Sequence, residues 1–191
     1  MVVAPDSVEA EAFSDVLLGL KMPVEGRIRV DRDDVTMSLP TERKIGLVPA
    51  GAGLLPHLTV EKNLTLATRY GLPPSFVDDV VKYLARDMTI QGFLRSRPHE
   101  LAHDERLRIA VARARLRPVQ VIVVEDHAGC DPCHAAVSAA LNPGKHSNDG
   151  KPPSDDDHSD LAVLVVTDDR TRVASLASPS RYWEITNVAQ S

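Results

Sequence analysis

The chain has 191 residues and a formal net charge of −5, with 43% hydrophobic and 26% charged residues. That is enough apolar material for one domain with a sizeable core and too much for a disordered chain. One Trp, three Tyr, three Phe and no offsetting basic tract argue against a general nucleic-acid binder, and no apolar run is long enough to cross a bilayer or act as a signal segment.

Met1–Ala4 (MVVA) predicts a first strand, turned by Pro5-Asp6-Ser7 into a helix over Val8–Leu20. Phe13, Val16, Leu17 and Leu20 give that helix its apolar spacing, and Asp6 or Ser7 can cap it. Glu9 and Glu11 place acid near its N-terminus, where the dipole favours it. Gly26–Val30 (GRIRV) alternates like a strand with one wet face, Asp31–Glu42 is polar and turn-rich, and Lys44–Val48 (KIGLV) is an apolar strand. Val60–Tyr70 and Pro74–Arg86 have helical spacing. In the second, Phe76, Val80, Val81 and Leu84 form the stripe, Ser75 is the cap and Asp78-Asp79 the first-turn acids.

Pro98–Asp131 (PHELAHDERLRIAVARARLRPVQVIVVEDHAGCD) contains the strongest pattern. A polar turn leads into a helix with Leu107, Ala110, Val111 and Ala114 on one face and Arg106, Arg108, Arg113 and Arg115 elsewhere. After a break at Arg117-Pro118 comes the fully apolar Gln120–Val124, which suits a parallel strand buried on both faces. It ends in Glu125-Asp126, at the strand end where open α/β sheets place their ligands. Leu141–Asp160 (LNPGKHSNDGKPPSDDDHSD) lacks any apolar period, and its 142–160 portion predicts a mobile acidic loop. Leu161–Val166 is another buried strand, followed by Thr167-Asp168-Asp169, a short helix over Arg170–Ala177 and a last strand over Arg181–Thr186.

Two of these segments carry a family resemblance. RPHELxxxExxRxAxARA, then RP, an apolar strand and an acidic pair, resembles the signature helix and Walker B strand of ABC-transporter ATPases. LxPHLTVxxN, at Leu54–Asn63, is similar to a segment of importer-type members. The resemblance runs from Met1 to about Ile185. It implies a P-loop NTPase-like α/β fold, with a mostly parallel sheet flanked by helices. It divides the chain into a RecA-like core (1–59 and 107–191) and a helical subdomain (60–106). Family members carry antiparallel strands before the phosphate loop, and the alignment leaves no residues for that part.

The resemblance also says where chemistry is expected, and there the residues differ. The phosphate loop GxxGxGKS/T falls on Ala4 to Glu11 or Ala12, so Ala10 stands at the lysine and Glu11 at the magnesium-binding hydroxyl. Such a loop works through close backbone N–H groups, a lysine and a hydroxyl on the metal. Each lost charge-assisted contact is worth ~1.5–3 kcal/mol, so losing two weakens binding by roughly 10²–10⁴-fold. The γ-phosphate-sensing glutamine falls at Ala50. The LSGGQ signature falls on Leu101–Glu105, with His103 and Asp104 in place of its small residues. The switch histidine is Asp168. Glu125-Asp126 reverses the usual acid order, leaving Glu125 as the expected metal acid and Asp126 as the residue polarising water.

His127-Ala-Gly-Cys130-Asp-Pro-Cys133-His134 holds a CxxCH motif. Its ligand types, His127, Cys130, Cys133 and His134, fit a zinc or redox site, against the plainer reading of two ordinary cytosolic thiols. In the resemblance this is the D-loop, with Asp131 near the family aspartate.

The expected function is therefore a non-catalytic ABC-ATPase-like binding or regulatory subunit. Its partner would be a membrane permease, an active ATPase subunit or a second copy, with no bound cofactor, no nucleic acid and no membrane insertion of its own. The expected location is cytoplasmic, reaching the membrane through a partner. The alternative is a weak or atypical ATP-binding ATPase subunit of an importer-type ABC transporter, using ATP and magnesium with Glu125 and Asp126 as catalytic candidates. A third reading is a thiol or metal sensor at Cys130/Cys133.

Overall fold

A computed structural model of the chain describes residues 1–68, 74–127, 161–169, 171 and 183–184. Five strands form one sheet: β1 (Val2–Val3), β4 (Ile45–Val48), β5 (Val121–Asp126), β6 (Ala162–Thr167) and β7 (Trp183–Glu184), in the order β4-β5-β6-β1-β7. Every pairing in it is parallel. The longest runs from Val121 opposite Ala162 to Asp126 opposite Thr167. This is the mostly parallel, helix-flanked sheet that the family resemblance implies.

The period-2 alternation of β5 and β6 sorts their side chains into two cores. Ile122, Val124 and Val165 pack with α2 (Val60–Thr68), α3 (Pro74–Asp87) and α4 (His103–Arg115). Val123 and Val166 pack on the opposite face with Val2, Ala4 and Ala10, beside Phe13 and Leu17 of α1 (Ser7–Leu18). A strand with apolar side chains on both faces is thus covered by helices on both faces, as its lack of polar alternation requires.

Several local details depart from the expectations. Helix α1 stops at Leu18, because Gly19 adopts φ 81° and its N–H turns back to the carbonyls of Asp15 and Val16. Leu20 therefore lies beyond the helix and is exposed. The predicted strand Gly26–Val30 shrinks to β2 (Arg29–Val30), which pairs antiparallel with β3 (Asp33–Asp34) inside the stretch expected to be only turns. The apolar stripe of α3 keeps Val81 and Leu84 but takes Val77 and Ala85 in place of Phe76. Val77, Val81, Leu84, Ala85 and Met88 are buried, whereas Phe76 is 58% exposed. Both stripes fit a 3.6-residue period, and packing against the neighbouring helices selects the one richer in compact side chains.

Arg43 was not singled out by the sequence, yet it is 1% exposed. Its guanidinium donates to the carbonyls of Val16 (2.7 Å) and Leu17 (3.0 Å), at the C-terminal end of α1, and of Thr36 (2.7 Å) and Ser38 (3.1 Å). One cation so placed satisfies helix-end acceptors and ties the β2–β3 hairpin to α1. The 142–160 loop, the helix over Arg170–Ala177 apart from Thr171, the end of the Val60–Tyr70 helix and most of the last strand lie outside the described residues.

Candidate functional site

Because β1, β5 and β6 are parallel neighbours, their C-terminal ends share one edge of the sheet. Val3 and Asp126 are both in register with Thr167, and the Ala4 N–H donates to the Thr167 carbonyl at 2.7 Å. The turn from β1 into α1, Ala4–Asp6, opens on that same edge. A ligand crevice of an open α/β sheet belongs here.

The helix N-terminus at this edge is already occupied by the chain's own acid. Asp6 is the N-cap, and its Oδ1 accepts the Glu9 N–H at 2.8 Å. Ala10, expected from the resemblance at the phosphate-loop lysine, lies in the second helical turn, fully buried in the Val2–Val123–Val166 cluster. Glu11 is exposed on α1. The β1–α1 connection is thus a short turn followed at once by helix, rather than an extended loop of backbone N–H groups around an anion.

At the end of β5, Asp126 is 2% exposed and Glu125 half-buried. As consecutive strand residues they point to opposite faces, Glu125 with Val123 on the α1 side and Asp126 with Val124 on the α2–α4 side. Asp168 follows β6 and is half-buried. Beside it, Thr167 Oγ1 accepts the Asp169 N–H at 3.0 Å, and Asp169 Oδ1 accepts from the Thr171 N–H and hydroxyl at 2.9 and 2.7 Å.

Helix α4 begins at His103. The carboxylate closing its N-terminus is Glu105, whose Oε2 accepts the Ala102 N–H at 2.8 Å. Asp104 instead lies 4.0 Å from Arg108, one turn on. His103 Nε2 is buried without a hydrogen-bond partner among the described residues. Ala50 follows β4, half-buried and with no amide to present.

His127 ends the described part of this segment, half-buried, with Nδ1 lacking a partner among the described residues. Cys130, Cys133 and His134 lie outside the described residues. Among the described residues no group of three or more His, Cys, Asp or Glu is placed to hold a metal.

Two side chains to which sequence reasoning assigned no structural role, Asn63 and Arg113, shape the loop after β4. Asn63 is buried and faces back into it: Oδ1 accepts the Leu55 N–H at 2.8 Å, and Nδ2 lies 3.0–3.3 Å from the carbonyls of Leu55, Leu58 and Thr59. This gives the asparagine of LxPHLTVxxN a physical role. Arg113, from α4, donates to the carbonyls of Ala52 and Gly53, and burial pulls its guanidinium below the ordinary arginine pKa. The available signals were the Asn at the motif's end and an Arg inside an otherwise small-residue helical run.

A groove of about 390 Å³ lined by Leu18, Leu20, Pro40, Leu66 and Val119 lies near the start of β4 and β5. That is the opposite end of these strands from Asp126 and Thr167, so it is separate from the candidate site.

The fit of a magnesium–nucleotide can be judged from these positions. Ala10 offers a buried methyl, Glu11 an exposed carboxylate, and the helix N-terminus holds Asp6. The residues do not fit phosphate and magnesium in the manner of an ordinary phosphate loop.

Among the described residues, no helix is long and apolar enough to cross a membrane. The family model described as "ABC transporter" matches residues 13–127. The sn-glycerol-3-phosphate import ATP-binding protein UgpC of Salmonella typhimurium is 29% identical over 127 residues, 66% of this chain. The protein of the same name from Escherichia coli O6:H1 is 30% identical over a stretch of the same length. The chain spans 36% of the length of each. In three dimensions it is similar to a solved dimeric, post-hydrolysis state of the ATP-binding cassette MJ0796 bound to ADP and Pi. The TM-score is 0.62 at 18% identity, covering 92% of this chain and 76% of the other, which shows a shared P-loop NTPase fold. With more than half its length matched by the family model, the chain belongs to the ABC transporter ATPase-domain family.

Proposed function

We propose that this chain serves an importer-type ABC transporter in the position of its ATP-binding subunit, with an atypical nucleotide site. The observation that carries this reading is the match over residues 13–127 to the ABC transporter family, together with relatives named as import ATP-binding proteins. Glu125 and Asp126, at the end of β5, are the catalytic candidates under this reading. Ala10, Glu11, Ala50, His103, Asp104 and Asp168 are the altered contact positions. The division into a core (1–59 and 107–191) and a helical part (60–106), and a permease, ATPase subunit or second copy as partner, belong to the same proposal.

A second reading, a non-catalytic subunit that acts by binding its partner alone, is favoured by the occupied N-terminus of α1 and the burial of Ala10. Calorimetry with magnesium and millimolar ATP separates the two. Under the first reading, binding is weak but measurable, and turnover falls to background in Asp126→Asn. Absence of heat and of thermal stabilisation at millimolar nucleotide selects the second.

A further inference from the structure

Strand β4 ends the sheet, and among the described residues nothing pairs with its outer side. The Lys44 carbonyl accepts the N–H groups of Gln120 and Val121 at 2.8 and 3.3 Å, so Lys44 faces β5. Backbone groups of successive strand residues point to opposite sides. Gly46 and Val48 therefore also face β5, while the N–H and carbonyl of Ile45 and of Leu47 face outward. Those outward groups have no hydrogen-bond partner among the described residues. Both residues are only half-buried. A row of unpaired donors and acceptors on a sheet edge is a template for another strand.

The groove of about 390 Å³ follows this edge, since Ile45, Gly46 and Leu47 all line it. On the α1 side its wall is Leu18 and Leu20, the latter 63% exposed. On the other side the wall is Leu66 and Ala67 of α2 with Ala114 of α4. Ile45 and Leu47 send their side chains toward α1. Gly46 sends none toward α4, where a β-carbon would meet Ala114 Cβ at 3.2 Å. A strand added here would alternate in the same way, one set of side chains on the α1 wall and the other on α4.

The α4 wall is charged. Arg113 and Arg117 lie one helical turn apart on the same side of the chain's path and both line the groove, which has no acidic residue among its described lining. Neither arginine has a carboxylate partner among the described residues. Arg113 is half-buried and donates to the carbonyls of Ala52 and Gly53, and Arg117 donates to the Thr41 carbonyl at 3.1 Å. Past the Pro40 end, Lys44 lies 4.0 Å from Asp33, and Glu42 is engaged with the Leu39 N–H at 3.2 Å. Four helical residues rise about 6 Å, and two strand residues span roughly 6.6 Å. Carboxylates two positions apart on an added strand therefore match guanidiniums four positions apart on α4. A second copy paired edge to edge, with its α4 on the same side, would instead set its own Arg113 and Arg117 against these, a like-charge contact.

We propose that the outer edge of β4 is a strand-addition site for an extended peptide segment of another protein, alternating apolar and acidic residues. The backbone of Ile45 and Leu47 supplies the pairing, Leu18 and Leu20 take the apolar side chains, and Arg113 and Arg117 take the acidic ones. The inference goes beyond the proposed function, because this edge lies at the opposite end of the strands from Asp126 and Thr167 and uses none of the candidate nucleotide positions.

Titrating the full chain with an N-acetylated, C-amidated heptapeptide that alternates valine with glutamate tests it, with amide hydrogen exchange as the second readout. Binding should saturate and slow the Ile45 and Leu47 amides at least about tenfold, while Gly46 and Val48, already bonded to β5, keep their rates. Glutamine in place of glutamate in the peptide, and Arg117→Gln in the protein, should each weaken binding about tenfold, the loss of a charge-assisted contact. A peptide N-methylated at every residue should not bind, and this control leaves the protein unaltered. No binding at millimolar peptide, undiminished binding of the N-methylated or glutamine peptide, or unchanged Ile45 and Leu47 exchange in the complex would each overturn the proposal. Self-association that protects the same two amides without peptide would also overturn it, giving the edge to a second copy. Calorimetry with magnesium–ATP reports the nucleotide site separately, so the two readings fail independently.

Discussion

Gly19 lies directly against the guanidinium of Arg43: a β-carbon on the glycine would sit 2.6 Å from Nε and 2.7 Å from Cζ. The same glycine carries φ 81° and ends α1, so conformation and space both demand the absence of a side chain there. Gly19→Ala is expected to destabilise the fold by about 2 kcal/mol, combining the left-handed penalty with displacement of Arg43. Urea unfolding measures it, and a loss below about 0.5 kcal/mol, the range of ordinary surface changes, would mean that Arg43 is not fixed as described.

Arg43→Met should cost on the order of 3 kcal/mol or more, because it leaves the carbonyls of Val16, Leu17, Thr36 and Ser38 without their donor. Arg43→Lys should recover part of this, since an ammonium lacks the planar fork that reaches both sets of carbonyls. Equal stability of the Met and Lys variants in the same assay would contradict a hydrogen-bonding role.

The contrast between Arg43 and β5 shows what could be seen in the sequence. Val121–Val124 declares a doubly buried strand through composition alone, and the Glu125-Asp126 ending places the candidate edge. Arg43 stands between two turn-rich and strand-like stretches, and nothing in its neighbours distinguishes it from a solvated arginine. Its partners lie 5 to 27 positions away, on a helix end and a loop that meet only in the folded chain. Phe76 misled for a related reason: it fits a helical period, but packing kept Val81 and Leu84 of the expected stripe and took Val77 in place of Phe76. Asn63 was visible as part of a motif, although its target, the loop carbonyls, was not.

Asp6 should behave as an ordinary N-cap. Asp6→Ala is expected to lower stability by about 1 kcal/mol, and Asp6→Asn by only a few tenths, since both native and Asn side chains can accept the Glu9 N–H. Thermal melts followed by circular dichroism distinguish these. If Asp6→Ala also raised nucleotide affinity, the carboxylate at the helix N-terminus would be identified as a barrier to anions.

The Asp87–Arg115 pair joins α3 to α4 at 3.0 Å, with side chains 14% and 23% exposed. Such partial burial should give a coupling of about 1–2 kcal/mol in a double-mutant cycle with Asp87→Asn and Arg115→Met, larger than for an exposed pair. It should change little between low and moderate salt. Additive single mutants would show that the pair contributes nothing of its own.

Asp34 gives a pH-dependent term at the hairpin. Hydrogen bonds from the Thr36 hydroxyl (2.6 Å) and N–H (3.1 Å) hold its carboxyl below the usual value of 3.8. A lowered folded pKa means that the stabilisation is complete above the unfolded value and disappears as pH falls through the folded one. Thr36→Val should therefore narrow the stability difference between neutral and acid pH. NMR titration of Asp34 should move upward toward 3.8 in that variant; an unmoved titration would rule out Thr36 as the cause.

The position of β1 carries a consequence for how the chain is made. Val2 pairs with Val166 on one side and with Trp183 on the other, so a strand synthesised early occupies a slot bounded by strands synthesised much later. While translation proceeds, α1 has its apolar face ready but no completed sheet to rest on. The hydrophobic residues of Met1–Ala4 gain their first parallel neighbour only once Thr167 has left the ribosome, and their second only after Glu184. Long sequence separation of this kind slows folding and prolongs the interval in which an unpaired strand can meet another nascent chain. Yield of folded protein in the cell should thus depend on holding that early segment apart from its neighbours, more than on the stability of the finished sheet.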